Sequence, residues 1–169
     1  MPTFPGPLIG MVHLGALPGT PRAGLRVERI AKAAAAEAQA LEDAGLDAVL
    51  VENMHDLPYL RREVGPEIVA AMSACVLCVR AATTLPVGVQ VLAGANRAAL
   101  SVAHACGGSF IRAEGFHLAA VADEGLLDEA RKTGEKQAIN GFSTEQVSLK
   151  ITVMAENMLT STPRPEESM

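Results

Sequence analysis

Tryptophan is absent from this chain of 169 residues, and aromatic residues make up only 3% of it. A core built without bulky rings has to come from Ala, Val, Leu and Ile, on elements that approach one another closely. No run of five basic residues occurs and the net charge is -5. That leaves no electrostatic footprint for nucleic acid or an anionic membrane surface. The G-x-G-x-x-G and Walker patterns are missing as well. "LPGTPRAG" (17–24) is therefore read as a rigid strand-to-helix loop able to lie over a site mouth, and not as a nucleotide cradle. The longest mostly apolar run, "IVAAMSACVLCV" closed by Arg80, is too short to span a bilayer and reads as a buried helix, so no membrane insertion is expected.

Cysteine is scarce too. Cys75, Cys78 and Cys106 make an odd number, and no charged and apolar secretory leader precedes "LIGMVH", which leaves little room for an organellar presequence. The expectation is a cytoplasmic protein, with a mitochondrial location as the second reading. Cys75 and Cys78 have C-x-x-C spacing, but they fall mid-helix. A redox pair sits at a helix N-terminus, where the dipole lowers the thiol pKa, so buried small hydrophobes are the preferred reading.

What is present is a regular alternation. "LIGMVH" (8–13) is a short apolar run, and then Val27, Ile30, Ala34, Ala38 and Leu41 recur at helical spacing up to a capping Gly45. "DAVLVEN" reads as a second strand. Gly65-Pro66 opens a helix that must stop before Pro86. "VGVQVL" (87–92) is a third strand, Asn96 is placed to cap the helix "RAALSVAHA", and "SFIRA" (109–113) is a fourth. Short strands alternating with helices predict an α/β fold with right-handed crossovers and a parallel sheet. After Leu127 the pattern changes. "DEARKTGEKQAINGFSTEQ" has no clear period, "VSLKITVM" alternates weakly enough to be a strand, and "TSTPRPEESM" reads as disordered. Residues 1–127 and 128–169 are accordingly expected to differ, the second part being a divergent, irregular tail.

One small unit repeats. "AGLDAVLVEN" and "CGGSFIRAEG" each run from a helix-ending glycine into a strand and on to a glutamate. Gly45 to Glu52 is seven residues, as is Gly107 to Glu114. The glycine sets the start and side chains alternate along a strand, so the two glutamates should hold equivalent places at strand C-terminal ends. By the same period Arg112 points with Glu114, and Leu50 with Glu52.

"IGMVHLGALPGTP", "AGLDAVLVENMHDLPY", "LPVGVQVL" with Asn96 close behind, and "FIRAEGF...VADEGLL" resemble, in that order, the BtpA family (also called BtpA/SgcQ). The resemblance covers about residues 8–127. It implies a (β/α)8 TIM-type barrel of the ribulose-phosphate-binding kind and a family with no firmly assigned reaction. This chain would supply about four βα units, as a truncated or alternatively spliced form inactive on its own would. Ribulose-phosphate-type barrels hold phosphate with loops after strands 7 and 8, which this chain lacks in recognisable form, so a phosphate ligand is disfavoured.

The active site of such a barrel lies at the strand C-terminal ends. His13, Glu52 and Glu114 are the catalytic candidates, and Arg112, Asn53, Asp56, Asn96 and Asp123 the ligand-binding ones. Gln90 also falls at a strand end, and His55 in a loop. Two carboxylates with His13 could hold a divalent metal ion, or a carboxylate pair could separate into an acid and a base. Arg112 is either a bidentate grip for a ligand anion or the counter-ion of a buried glutamate, and Asn96 either a ligand contact or a helix cap. The resemblance supports two functions for full-length relatives. One is binding or turnover of a small polar, sugar- or nucleoside-derived ligand; the other is a non-catalytic assembly or stability factor of the photosystem-biogenesis type. Four strands leave barrel edges and an apolar inner face open. Expressed alone, the chain is expected to self-associate on size exclusion; a monodisperse monomer with a cooperative melt is the opposing result.

Overall fold

Gly45, Gly65-Pro66, Pro86 and Gly107 each fall at or beside the end of an element. The computed structural model describes residues 6–115, and the backbone alone at 120–122, 125–127 and 150–152. In order come β1 (Ile9–His13), α1 (Val27–Asp43), β2 (Ala48–Glu52), α2 (Pro66–Ala82), β3 (Val87–Gln90), α3 (Asn96–Cys106) and β4 (Phe110–Arg112). An antiparallel pair, β5 (Ala120–Ala122) with β6 (Gly125–Leu127), follows, and then β7 (Lys150–Thr152).

The helices form for local reasons and dock for apolar ones. α1 is rich in Ala, the best helix former, and buries Ile30, Ala31, Ala34 and Ala38 along one stripe. Gly45, at φ +82, follows its end in the left-handed conformation that glycine adopts without steric cost. α2 has Pro at its first turn, where the missing N–H would have no helical partner. Its apolar run buries Met72, Cys75, Val76 and Val79 completely. The three cysteines are free thiols. Burial, followed by the neighbouring Cys78 and Asp56, pushes the Cys75 thiol up to about 12, which removes it as a nucleophile near neutral pH.

The strands form a parallel sheet in the order β1-β2-β3-β4, with β7 beside β4. Val12, Val49, Val51, Val87, Val89 and Ile111 share one core with the helix residues. Ala48, Leu50 and Phe110, backed by Ile9 and Met11, make a separate small cluster, and side-chain alternation puts these on the opposite face. All three helices therefore cover one face. Sequential strand order with every crossover on the same face is the winding of a barrel wall; a doubly wound sheet reverses its order. The α/β class is thus established, as a parallel sheet with three helices compatible with part of a barrel.

β7 falls inside "VSLKITVM" and runs parallel to β4, with Arg112 opposite Thr152. The rest of the stretch after Leu127, "TSTPRPEESM" included, lies outside the described residues.

Gly88 is where two strands come closest on the helix-free face. A Cβ there would stand 2.2 Å from the Phe110 ring, well inside van der Waals contact. Gly88→Ala is expected to destabilise by about 1–3 kcal/mol in chemical denaturation, the usual cost of overpacking. The cost should shrink when Phe110→Leu is also present.

Candidate functional site

Parallel register gathers the strand-end polar residues into a row. His13 pairs with Glu52, and Glu52 with Gln90. Gly88 pairs with Phe110, so two residues further on Gln90 and Arg112 stand opposite each other. One period below runs Met11, Leu50, Gly88 and Phe110. A polar layer thus lies directly on an apolar one.

Glu52 is the buried carboxylate of this row. Its Oε2 lies 3.3 Å from His13 Nε2, with the glutamate side chain 5% exposed and the histidine 41% exposed. His13 therefore links a buried carboxylate to the open side. Burial pushes the Glu52 carboxyl above its usual range, and the charges of His13 and Arg112 only partly oppose that shift. A carboxyl whose charged form is disfavoured by burial is the kind of group that general acid–base chemistry uses.

Gln90 connects the other half of the row. Its Oε1 accepts a hydrogen bond from Arg112 Nη1 at 3.1 Å, and its Nε2 donates to Glu114 Oε1 at 2.7 Å. The Gly94 N–H donates to the other Glu114 oxygen. The carboxamide is thereby oriented from both sides, with oxygen toward the cation and nitrogen toward the anion. Gln90 is the residue sequence reasoning left among the strand-end residues without a role. The signal was available, since it stands on the same two-residue period as Gly88 and in register with Glu52.

The cap assigned to Asn96 is a correction. Ala95 occupies the N-cap of α3 and no side chain caps the helix. Asn96, only 2% exposed, reaches across instead. Its Nδ2 donates to the Glu114 carbonyl at 2.9 Å, and its Oδ1 accepts the Glu114 N–H at 3.0 Å. It satisfies a main chain leaving a strand, as a neighbouring strand would. Both strand-end glutamates do lie on the helix-free side, but in different surroundings: Glu52 meets His13, and Glu114 meets Gln90 and Gly94.

Asn53 and Asp56 tie the loops together behind the row. Asn53 Nδ2 donates to Asp56 Oδ2 at 2.9 Å, Asn53 Oδ1 accepts the Leu92 N–H at 2.8 Å, and Asp56 Oδ1 accepts the Leu17 N–H at 2.7 Å. Loops following β1, β2 and β3 are thus locked by two side chains only 1% and 5% exposed. His55 is exposed, and Asp123 lies outside the described residues. Among the described residues no group of three His, Cys, Asp or Glu side chains is placed to hold a metal ion. The set of His13, Glu52 and Glu114 is not assembled, because Glu114 is engaged by Gln90 and Gly94.

The sequence matches the model of the BtpA family over residues 5–160. The chain belongs to the BtpA family. The match runs past Leu127, where the resemblance read from motifs ends. An uncharacterized mitochondrial protein of Caenorhabditis elegans is 47% identical over 131 residues, 72% of this chain and 46% of the relative. An uncharacterized protein of Pyrococcus furiosus is 38% identical over 122 residues, with coverage of 72% and 46%. The photosystem I biogenesis protein BtpA of Synechocystis is 35% identical over 122 residues, with coverage of 72% and 42%. This BtpA-family chain therefore spans under half the length of these curated relatives. Among its described residues no helix is long and apolar enough to cross a membrane.

Two predictions follow from the geometry. Asn96→Ala is expected to cost about 1–3 kcal/mol by leaving buried main-chain groups of Glu114 unpaired, read by denaturation and by faster exchange of the Glu114 amide. Glu52→Gln carries the sign of a raised acid. The folded protein is penalised as pH rises from the ordinary carboxylate value, about 4.3, through the raised one. The variant should therefore gain stability over wild type across that window and show no such gain below it, as followed by melting temperature against pH.

Proposed function

We propose that the row of His13, Glu52, Gln90 and Arg112 is part of a ligand site at the strand ends of a (β/α)8 barrel of the ribulose-phosphate-binding type. On this reading, full-length BtpA-family proteins bind or turn over a small polar ligand, sugar- or nucleoside-derived. One observation carries the reading: four polar side chains stand in register on the sheet face that no helix covers among the described residues, above an apolar layer. A structural face would be apolar to its end. Water leaves such a layer readily, which strengthens every charge in it.

The roles follow from the contacts. Glu52 and His13, 3.3 Å apart with the histidine partly open to solvent, make the acid–base pair of this reading. Arg112 binds Gln90 through one nitrogen, and its planar fork suits a carboxylate or another anionic group on the ligand. Gln90 and Glu114 hold Arg112 in place, and Asn53 and Asp56 hold the loops. The donor set falls short of a divalent metal centre, so no step is assigned to a cation. Activity is proposed for forms in which further βα units complete the ring. The chain alone is proposed to be inactive and to associate through its open sheet edge. A cytoplasmic or mitochondrial location suits either form; the Caenorhabditis elegans relative is labelled mitochondrial.

A second reading rests on the Synechocystis relative, whose name is photosystem I biogenesis protein BtpA. There the barrel would serve as an assembly or stability factor, and the polar row would sense a ligand. Replacing the glutamate equivalent to Glu52 by Gln in the full-length Caenorhabditis elegans relative separates the two. The first reading expects turnover of sugar- or nucleoside-derived substrates to fall by about 100-fold or more. Unchanged binding and turnover, with a protein partner retained, would favour the assembly role.

A further inference from the structure

Behind Asn53 lies a second space. The turn at residues 19–21, the loop after β2, the first turn of α2 and Leu92 enclose a cavity of about 220 Å³. None of His13, Glu52, Gln90 or Arg112 lines it. Alternation explains the separation, since Glu52 points to the helix-free face and Asn53 to the other. Pro21, Pro58, Leu60, Val64 and Ile68 contribute apolar side chains to the wall.

The polar side chains of that wall are largely engaged within the protein. Thr20 Oγ1 donates to the Leu17 carbonyl at 2.7 Å, and the Tyr59 hydroxyl donates to the Met54 carbonyl. Asn53 and Asp56 hold each other and the main chain of neighbouring loops. Glu67 differs. It is exposed, and it takes part in neither the His13–Glu52 nor the Arg26–Glu28 pair. Its position is nevertheless built. A Cβ on Gly19 would lie 2.5 Å from Glu67 Cγ, and one on Gly65 would lie 2.1 Å from Glu67 Oε1. Two glycines leave the room in which this carboxylate rests at the cavity rim.

An apolar wall whose hydrogen-bonding groups are satisfied selects an apolar body, and a carboxylate without a cation selects a positive end. Apolar cavities of about 150 Å³ accept benzene, so this one has room for a substituted ring. Leu60, 61% exposed, adds apolar surface. We infer that the cavity binds a small protonated amine with an apolar body, the ring among the prolines, Leu60 and Ile68, and the ammonium against Glu67. This site is independent of the strand-end row.

Saturation-transfer NMR on the 169-residue chain tests it with benzylamine, benzyl alcohol and benzoate. Benzylamine should bind best and benzoate worst. Glu67→Gln should weaken benzylamine about threefold, the scale of an exposed ion pair, and leave benzyl alcohol unchanged. Leu60→Trp, which fills the mouth from an exposed position, should weaken both. Glu52→Gln should alter neither, so this site can fail without touching the reading of the row. Equal affinity for benzylamine and benzoate would overturn the inference. So would benzylamine binding indifferent to Glu67→Gln and Leu60→Trp, or binding lost on Glu52→Gln.

Discussion

The core and the polar row both depend on the parallel pairing of β1 to β4 in sequence order. Parallel neighbours cannot be joined by a tight turn, so each pair needs a crossover, and a right-handed crossover in sequential order always returns over the same face. Helices therefore accumulate on one side, where Val and Ile of the strands meet the Ala stripe of α1 and the apolar run of α2. Among the described residues the other face receives no helix. It is on that face that His13, Glu52, Gln90 and Arg112 stand side by side.

Burial and pairing then act together on the row. Glu52 is removed from water yet has one half-exposed histidine as its partner, so its charge is held by few contacts and its carboxyl is displaced upward. Glu114 experiences the opposite arrangement, with two donors on its carboxylate and Asn96 on its main chain. Two glutamates that occupy the same place in a repeated unit thus acquire different chemistry. The repeat sets their positions, and their neighbours set their contacts.

Much of the architecture was legible because the marks that end elements act locally. Gly45 and Gly107 take left-handed conformations that any other residue would resist, and Pro66 fits only a first turn. The site was legible in part. The two-residue period carried Glu52 and Arg112 to the strand ends, and it carried Gln90 there equally, but a neutral amide gives no electrostatic signal of its own. Asn96 shows the limit most clearly. An Asn at the start of a helix usually caps it, yet this one reaches Glu114, 18 residues away, because a strand end needed its main chain satisfied.

Family membership extends that contrast. Relatives from Caenorhabditis elegans and Synechocystis share the segment and run to more than twice the length this chain covers. By itself the sequence determined the alternation of strands and helices, their boundaries and the set of residues at the strand ends, since these follow from propensity, periodicity and φ restrictions acting over a few residues. Only the tertiary structure decided which strand-end residues meet. Contacts such as Gln90 with both Arg112 and Glu114, or Asn53 with the Leu92 N–H, join groups 22 to 39 residues apart. Sheet register brings them within hydrogen-bonding distance, and no local rule of the chain encodes that distance.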